Sequence, residues 1–386
     1  MDRSPHLTPR SLRNHLPPSD KLVHLNNAGL GPLTRAAVER AAEIAALQAE
    51  RGSHAIAELL QICDNARRSF ARLVNADPEL VCFSQTCAAS ISQVALGISL
   101  RPGDEIVRWD QEYPSNAIPW HRAAELAGAT VTVVPSEAGY QLSTERLLHA
   151  ISTRTRVVTV SWVQFQTGAI TDLTALSNRT KEVGAWLVVD AIQGLGVIPF
   201  DMEAFGVDAV CGGSHKWLLG PLGLGFLALA PHRLEELKPV LHGAGMYGPP
   251  LDVIDLNRPL PKNARRFEPG IPQVLAAGVA AASADTLLSV GIDSIYGIAA
   301  SRASALRAQL ETDGSTVLHN DPVDGITSPI TTFFPRCGLE QAERALQREG
   351  IAYTPRAGGI RLSPHGFNTE EEIERAAKAI RTAGDR

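Results

Sequence analysis

The sequence predicts an α/β protein with a mainly parallel sheet covered on both faces, followed by a smaller α+β domain. From about residue 80 to residue 230, apolar β-type runs alternate with segments of helical periodicity, as in a parallel sheet flanked by helices. Three such runs, at 186–189, 208–211 and 224–229, are joined by short turn-rich or helical links. After residue 229 the chain becomes rich in proline, glycine and basic residues, which indicates a long loop and a domain boundary.

Each element is predicted from its apolar periodicity and its turn or capping residues. Thr34 is expected to cap a helix that follows a short strand and a glycine-rich turn at 21–33, and Thr369 is expected to cap the last helix. The other strands are predicted at 80–83, 105–109, 130–134, 156–162, 328–334 and 359–363, and the other helices at 55–74, from about 88, and at 142–150, 174–183, 273–290, 295–310 and 339–348. The predicted organisation is an N-terminal arm at 1–20, a large domain at 21–255 and a small C-terminal domain at 256–386.

The composition is that of an ordinary globular enzyme: 386 residues, of which 44% are hydrophobic and 20% charged. A net charge of −5 gives no basic surface, which argues against nucleic acid and anionic membranes as partners. No apolar run is as long as a membrane span, and the N-terminus lacks the apolar core of a secretory signal. The five scattered cysteines contain no CxxC motif, so no disulfide framework or metal site is expected and a cytoplasmic location fits.

An acid and a lysine are the most informative residues between 186 and 229. Asp190 follows a buried strand, and Lys216 follows the next strand after the sequence Gly-Gly-Ser-His. A lysine beside a buried sheet can form a Schiff base and an acid at a neighbouring strand end can hold a pyridinium nitrogen, which are two requirements of pyridoxal phosphate (PLP) chemistry. Alone, Asp190 is typical of a helix cap or turn and Lys216 of a solvated loop. The pair in this order is more specific than either residue.

Two further segments can line a site at the carboxyl edge of this sheet. The strand at 80–83, the turn at 84–87 and the following helix can cradle a phosphate, because free backbone N–H groups and the positive helix end face the anion. Ordinary helix capping is the alternative for this turn. Tyr113 follows the strand at 105–109 and can reach a flat ring on the rim where ligands bind, or it can pack on the next proline.

The glycine-rich segments give weaker signals. Asn26 and Asn27, beside glycines at 29 and 31, form either a plain turn or a polar loop over the active site. Gly194-Leu195-Gly196 lacks the third glycine of a dinucleotide fingerprint, and the glycines at 220–225 lead into a strand rather than a helix. The sequence therefore gives no support for nicotinamide binding.

At Asp190-Ala-Ile-Gln193 and Ser214-His215-Lys216 the chain resembles fold-type I PLP-dependent enzymes of the aminotransferase class V family. That family includes cysteine desulfurases, isopenicillin N epimerase-like proteins and cysteine-conjugate C–S lyases. The resemblance extends from Asn26 to the C-terminus and includes the stretches at 112–120, 266–270 and 361–369. It implies that PLP binds in the large domain and that the protein is a homodimer with its active site at the interface.

The resemblance also implies roles for the cofactor-binding residues. Lys216 would hold PLP as a Schiff base and later carry the proton, and Asp190 would keep the pyridine nitrogen protonated so that the ring accepts electrons. Gln193 would hydrogen-bond the phenolic oxygen of the ring, and Tyr113 would stack on the ring as the second catalytic residue. The phosphate would be held by residues of two turns, which are Thr86, Cys87, Ser214 and His215.

Three residues are predicted to bind the substrate, and the first of them follows from the same resemblance. Arg361 matches the family's arginine for the substrate α-carboxylate, a group suited to the two-pronged guanidinium. Asn27 would contribute from the loop over the active site, and Arg356 would add a second contact to a substrate anion.

The chain departs from the family pattern at several positions. Ala88 and Ile271 stand where the family often has threonines, the second of which reaches the phosphate of the partner subunit. The nucleophilic cysteine of a desulfurase should lie just before Arg361, but residues 355–359 contain no cysteine and Cys337 comes too early. A persulfide-forming desulfurase is therefore disfavoured.

The resemblance to epimerase-like members, the missing cysteine loop and Tyr113 in the stacking position favour β-elimination from an S-substituted L-cysteine or its sulfoxide. This reaction releases a thiol or sulfenate, pyruvate and ammonia. Such a C–S lyase would fit secondary metabolism or the metabolism of low-molecular-weight thiols. A PLP-dependent aminotransferase, decarboxylating deaminase or amino-acid epimerase of the same family is the alternative. A non-catalytic regulator with this fold is less favoured, because Lys216, Asp190 and Arg361 are all present.

Overall fold

The structure is a computed structural model that describes residues 9–17, 21–247 and 258–384. Its helices are α1 (Pro9–Asn14), α2 (Arg35–Arg51), α3 (Ile56–Val74), α4 (Cys87–Gly97), α5 (Pro114–Ala127), α6 (Thr144–Ala150), α7 (Leu173–Val183), α8 (Met202–Phe205), α9 (Val274–Val290), α10 (Ile292–Thr312), α11 (Leu339–Arg348) and α12 (Glu370–Ala383). Its strands are β1 (Val23–His24), β2 (Val81–Ser84), β3 (Glu105–Trp109), β4 (Thr130–Val134), β5 (Thr155–Ser161), β6 (Trp186–Asp190), β7 (Ala209–Gly213), β8 (Gly225–Leu229), β9 (Thr316–Val317), β10 (Thr331–Phe334), β11 (Ile351–Ala352), β12 (Thr354–Arg356) and β13 (Gly359–Leu362).

Seven strands form the central sheet, in the order β2-β8-β7-β6-β5-β3-β4, and only β8 runs against the others. Alternate residues of β6 belong to two hydrophobic clusters: Leu187 and Val189 to one, Trp186 and Val188 to the other. Since successive side chains of a strand point to opposite faces, both faces of the sheet are buried. This double burial explains why β6, β7 and β8 are continuous apolar runs in the sequence. The predicted α/β class with a mainly parallel sheet is confirmed.

The parallel strands bring the predicted site residues to one edge of the sheet. β6 ends at Asp190 itself, and β7 ends at Gly213, shortly before Lys216. β3 ends at Trp109, and Tyr113 follows it at the start of α5. Because parallel strands present their carboxyl ends together, residues far apart in sequence meet there, where ligands of open α/β sheets bind.

The C-terminal part of the chain forms a second, antiparallel sheet in the order β12-β13-β10-β9. Helices α10, α11 and α12 pack with it around a separate hydrophobic cluster. The N-terminal strand β1 joins this domain by pairing in parallel with β11, where Val23 lies opposite Ile351. The small domain is therefore closed by residues from both ends of the chain.

The predicted domain boundary at 255/256 lies outside the described residues. On its C-terminal side the chain still packs against the large domain. Glu268 makes a two-pronged ion pair with Arg67 of α3, at 2.9 and 2.7 Å, and accepts the backbone N–H of Phe83 in β2. Helix α9 then lies against α2 and α3. Within the predicted arm, α1 buries Leu12 in the main hydrophobic core.

Element ends differ from the predictions where a side chain decides the boundary. Helix α4 begins at Cys87, because Thr86 Oγ1 accepts the backbone N–H of Ala89 as its N-cap. The strand predicted at 328–334 shortens to β10, because Arg307 takes the carbonyls of Ser328 and Ile330. Among the described residues no single helix is long and apolar enough to cross a membrane, and α9 and α10 pass by length and composition only as a pair bent by 82°.

Candidate active site

A cavity of about 330 Å³ opens at the carboxyl edge of the central sheet. Nine of the eleven predicted site residues line it: Thr86, Cys87, Tyr113, Asp190, Gln193, His215, Lys216, Arg356 and Arg361. A larger cavity of about 600 Å³ lies beside α1, but its Arg13 and Glu372 pair with each other and it is lined by no lysine. The smaller cavity is therefore the candidate active site.

Asp190 is held at the floor of the cavity with only 3% of its surface exposed. Its Oδ1 accepts the backbone N–H of Ile192 at 3.0 Å and the thiol of Cys87 at 3.4 Å. Burial raises the pKa of Asp190, and these donors and the charge of Lys216 oppose the rise. Within the described part of the chain no hydrogen bond reaches Oδ2, so this oxygen is available for a pyridinium N–H.

Lys216 projects into the same cavity, with its Nζ 5.6 Å from the centre of the Tyr113 ring. Burial lowers the pKa of Lys216 to about 8, although the charge of Asp190 opposes the shift. A larger fraction of the amine is therefore neutral at physiological pH than in a solvated lysine, which favours attack on a carbonyl. A side chain at Gly31 would overlap the backbone carbonyl of Lys216, which explains the need for glycine there.

Tyr113 precedes the proline that begins α5, and 39% of its surface remains exposed at the cavity. Its ring meets Phe165 edge to face, with the ring centres 5.0 Å apart. The ring is thus supported on one side by Phe165 and is near Lys216, as stacking on a flat cofactor requires. The alternative given by the sequence, in which Tyr113 packs only against the next proline, does not account for the contacts with Phe165 and Lys216.

One end of the cavity lies at the N-terminus of α4, where the sequence predicts the phosphate. Thr86 caps this helix and Cys87 is its first residue, so backbone N–H groups point toward the cavity. Burial and the charge of Lys216 lower the pKa of His215 to about 4, so its ring is neutral and can donate one N–H. Ser115, which the sequence analysis missed, adds a hydroxyl to the lining.

Ser214 differs from its predicted role as a phosphate ligand. The structure buries it outside the cavity lining, and its hydroxyl donates to the carbonyl of Pro221 at 2.5 Å. Its backbone N–H donates to Leu224 and its carbonyl accepts from Gly220. Ser214 therefore closes the loop that carries Lys216, because all of its polar groups are engaged within that loop.

Gln193 lies in the cavity wall with a fixed amide. Its Oε1 accepts the indole N–H of Trp217 at 2.9 Å, and its Nε2 donates to the carbonyl of Ala28 at 3.0 Å. The indole can only donate, so it determines which end of the amide is oxygen. The second N–H of Nε2 remains for a ligand oxygen, as the predicted contact to a phenolic oxygen requires.

Arg361 is the most buried cation of the cavity, with 1% of its surface exposed. It donates from Nη1 to the carbonyl of Phe165, and its Nε has no acceptor within the described residues. Burial, followed by the charge of Arg356, lowers the pKa of Arg361 to about 9. A buried guanidinium with unused donors is suited to a carboxylate.

Asn27 differs from its predicted role in the active-site loop. It is fully buried and does not line the cavity; its Nδ2 donates to the carbonyl of Ser363 at 2.9 Å. The backbone N–H of Ala28 donates to Ser363 Oγ, so this segment is attached to the end of β13. The neighbouring Ala28 and Gly29 form the cavity surface instead.

A buried carboxyl group that was not predicted from the sequence lies directly before Tyr113 in the chain. Glu112 accepts hydrogen bonds from the backbone and hydroxyl of Ser161, from Asn116 and from Gln164. It thereby joins the carboxyl ends of β3 and β5, and the latter leads into Phe165. Its position directly before Tyr113 was the available signal, but an acid before an aromatic residue is not informative alone.

The cavity fits PLP by size and by the chemistry of its donors. Its volume lies within the range of roughly 300–1,000 Å³ that is typical of small-molecule sites. The lining contains Asp190 with its Oδ2 free of hydrogen bonds from the described residues, the N-terminus of α4, which is suited to an anion, and Lys216 with its lowered pKa. The fold and the site together define a PLP-dependent enzyme of fold type I.

The chain belongs to the aminotransferase class-V family, whose model matches residues 24–375. A probable cysteine desulfurase of Methanothermobacter thermautotrophicus is 30% identical over 80% of this chain and 80% of its own length. Isopenicillin N epimerase of Streptomyces clavuligerus is 29% identical over 93% of this chain and 94% of its own. The family recognised in the sequence is therefore confirmed, and the protein is a PLP-dependent enzyme.

Two solved structures of C-DES have the same fold. One is a mutant with glycine covalently linked to the PLP cofactor, with a TM-score of 0.87 and 21% identity over 96% of this chain and 98% of that one. The other is the complex of C-DES, a cystine C–S lyase, with its reaction product cysteine persulfide. It has a TM-score of 0.85 and 21% identity over 93% of this chain and 97% of that one.

Proposed function

We propose that this protein is a PLP-dependent C–S β-lyase that acts on an S-substituted L-cysteine or its sulfoxide. The net reaction takes up one water and gives a thiol or sulfenate, pyruvate and ammonia. The Cα–H and Cβ–S bonds break, and the electron pair of the Cβ–S bond leaves with the sulfur. PLP, when bound, supplies the electron sink that makes the Cα proton acidic.

The residues of the cavity have complementary tasks in this proposal. Arg361 binds the α-carboxylate and so orients Cα toward Lys216, whose amine moves the proton. When PLP is bound, Asp190 would hold its positive pyridine nitrogen through Oδ2, and Tyr113 would stack on its ring. Gln193 and the end of α4 fix the two other polar groups of the cofactor.

The turn between β12 and β13 is the observation that carries the proposal. It consists of two residues, Ala357 and Gly358, because Arg356 pairs directly with Gly359. A desulfurase needs a cysteine nucleophile near the substrate sulfur, and this short turn has no room for a loop that carries one. Among the described residues, the one cysteine of the cavity lining is Cys87, whose thiol donates to Asp190 at the cofactor end. Sulfur is thus more readily released than transferred to the protein.

Epimerisation is the second candidate, because isopenicillin N epimerase aligns over 93% of this chain. It begins with the same removal of the Cα proton but returns a proton to the opposite face. Within the part of the chain that the structure describes, Lys216 is the one lysine of the cavity, with Tyr113 beside it. The product, not the first step, distinguishes the two reactions.

The test is to incubate the holoenzyme with S-methyl-L-cysteine, S-benzyl-L-cysteine and their sulfoxides. Pyruvate, ammonia and thiol should appear in equal amounts, and the Lys216→Ala variant should form none. Replacement of the exposed Lys378 by methionine is the matched control and should leave the rate unchanged. If a D-amino acid, or amino transfer to a keto acid, is found without pyruvate, the lyase proposal is refuted.

We also infer that the protein is a homodimer. The apolar side chains of Leu241 and Ile271 are 64% and 68% exposed, and both line an apolar cavity of about 340 Å³ beside α4. Exposed apolar surface of this kind is typical of an interface. Sedimentation equilibrium should give twice the chain mass, and Ile271→Asp should shift the population to monomer; a wild-type monomer at micromolar concentration would contradict the inference.

A further inference from the structure

The hairpin formed by β12 and β13 places two arginines on one face. Thr354 lies opposite Arg361 and Arg356 opposite Gly359, so Arg356 and Arg361 are diagonal neighbours. Side chains alternate along a strand, and both arginines therefore project from the same face of the hairpin. The two turn residues both have positive φ, 52° at Ala357 and 80° at Gly358, which is the pattern of the tight hairpin turn that matches strand twist.

Neither arginine is neutralised by a carboxylate of the described residues. Within the described ranges no carboxylate forms an ion pair with Arg356 or Arg361, and the Nε of each is buried without an acceptor. The guanidinium of Arg356 lies over the ring of Phe165, 5.6 Å from its centre, and Arg361 donates to the carbonyl of the same residue. The two cations thus flank Phe165, one over its ring and one at its backbone.

The charges that line the cavity are unequal. Lys216, Arg356 and Arg361 are cationic, whereas Asp190 is the only carboxylate among the described lining residues and is required by the pyridine nitrogen. The phosphate of bound PLP would be held by backbone groups at the N-terminus of α4. An amino acid with one α-carboxylate would neutralise Arg361 and leave Arg356 without an anion. A partly buried cation without a partner is unfavourable, and the site is complementary to two anions rather than one.

From this juxtaposition we propose that the substrate carries a second anionic group on its side chain, which Arg356 binds while Arg361 binds the α-carboxylate. The inference rests on the proposed function in that the site receives an amino acid. Between the two anions the side chain would pass the ring of Phe165, which is apolar, so a short thioether ending in a carboxylate fits. The preferred substrate class is therefore an S-(carboxyalkyl)cysteine or a related acidic conjugate, with S-alkylcysteines as slower substrates.

Kinetics with two substrates of the same shape test this inference. S-carboxymethyl-L-cysteine and S-carbamoylmethyl-L-cysteine differ only in the terminal group, which is an anionic carboxylate in the first and a neutral amide of similar shape in the second. The wild-type holoenzyme should prefer the acid by roughly 10- to 100-fold in kcat/KM, the range expected for a hydrogen-bonded ion pair. Arg356→Gln should reduce this ratio to near one, Arg356→Lys should retain part of it, and Arg344→Gln, an exposed arginine of α11, should leave it unchanged.

Binding of unreactive ligands separates this inference from the lyase proposal. Succinate and its monoamide, succinamate, should be titrated into the holoenzyme by the change in its visible absorbance or melting temperature. Succinate should bind more tightly by a similar factor, and Arg356→Gln should abolish the difference. If neither cysteine derivative is cleaved but this preference is found, the reaction is wrong and the second anion site stands. Equal binding of the two ligands by the wild type, or a preference that survives Arg356→Gln, would overturn the inference.

Discussion

The buried amine of Lys216 should destabilise the cofactor-free protein in a pH-dependent way. In the unfolded chain its pKa is the ordinary 10.5, and burial lowers it to about 8 in the folded protein. At about 1.4 kcal/mol per pKa unit, this difference corresponds to about 3 kcal/mol. Because the folded pKa is the lower one, the penalty is complete below pH 8, decreases between pH 8 and 10.5 and is absent above that window.

Lys216→Met removes the charge and keeps a long, unbranched side chain. We expect the cofactor-free variant to be more stable than cofactor-free wild type by about 3 kcal/mol at pH 7, and by less than about 1 kcal/mol at pH 10. Urea unfolding of both proteins at the two pH values measures the difference, and the exposed Lys378→Met controls for the loss of any lysine. A difference that is the same at both pH values, or a variant less stable at pH 7, would show that burial does not penalise this charge.

Two further predictions concern stability away from the cavity. Glu268→Ala should lower the free energy of unfolding, measured with urea, by about 3–5 kcal/mol, because it leaves Arg67 charged and buried. Arg72→Ala, which breaks the exposed pair with Asp285, should lower it by less than about 1 kcal/mol. Equal losses in the two variants would refute the reasoning. His365 is fully buried and burial lowers its pKa to about 4, so the stability it contributes should be lost as pH falls from 6.5 toward 4, by about 3 kcal/mol. His365→Gln should flatten that part of the stability profile, whereas the exposed His319→Gln should not, and an unchanged slope would contradict the assignment.

The sheet and the central pair of residues were predictable because both follow from periodic constraints. Burial on two faces requires continuous apolar runs, so β6, β7 and β8 could be found in the sequence within a residue or two. Parallel strands then oblige Asp190 and the loop with Lys216 to lie on one rim. This inference needs only strand order and direction, not side-chain conformations.

Side-chain direction within loops was not predictable. Ser214 and His215 are adjacent, yet only His215 faces the cavity, and the same holds for Asn27 and Ala28. In irregular backbone no period relates neighbouring side chains, so a motif marks the loop but not which of its residues faces inward.

Contacts between distant segments were also invisible in the sequence. Phe165 joins Tyr113, Arg356 and Arg361 only because β3, β5 and the small-domain hairpin meet at the cavity. No local sequence pattern indicates that these distant segments come together.

The pairing of β1 with β11 has a consequence for biosynthesis. Val23 leaves the ribosome early, but its partner Ile351 is added more than 300 residues later. At translation rates of roughly 5–20 residues per second, the first strand waits on the order of 15–65 s for its neighbour. The segment that carries Ala28 and Gly29 cannot be anchored at Ser363 before then. The nascent large domain can therefore form its sheet during synthesis, whereas the cavity acquires this wall only after nearly the whole chain has been made.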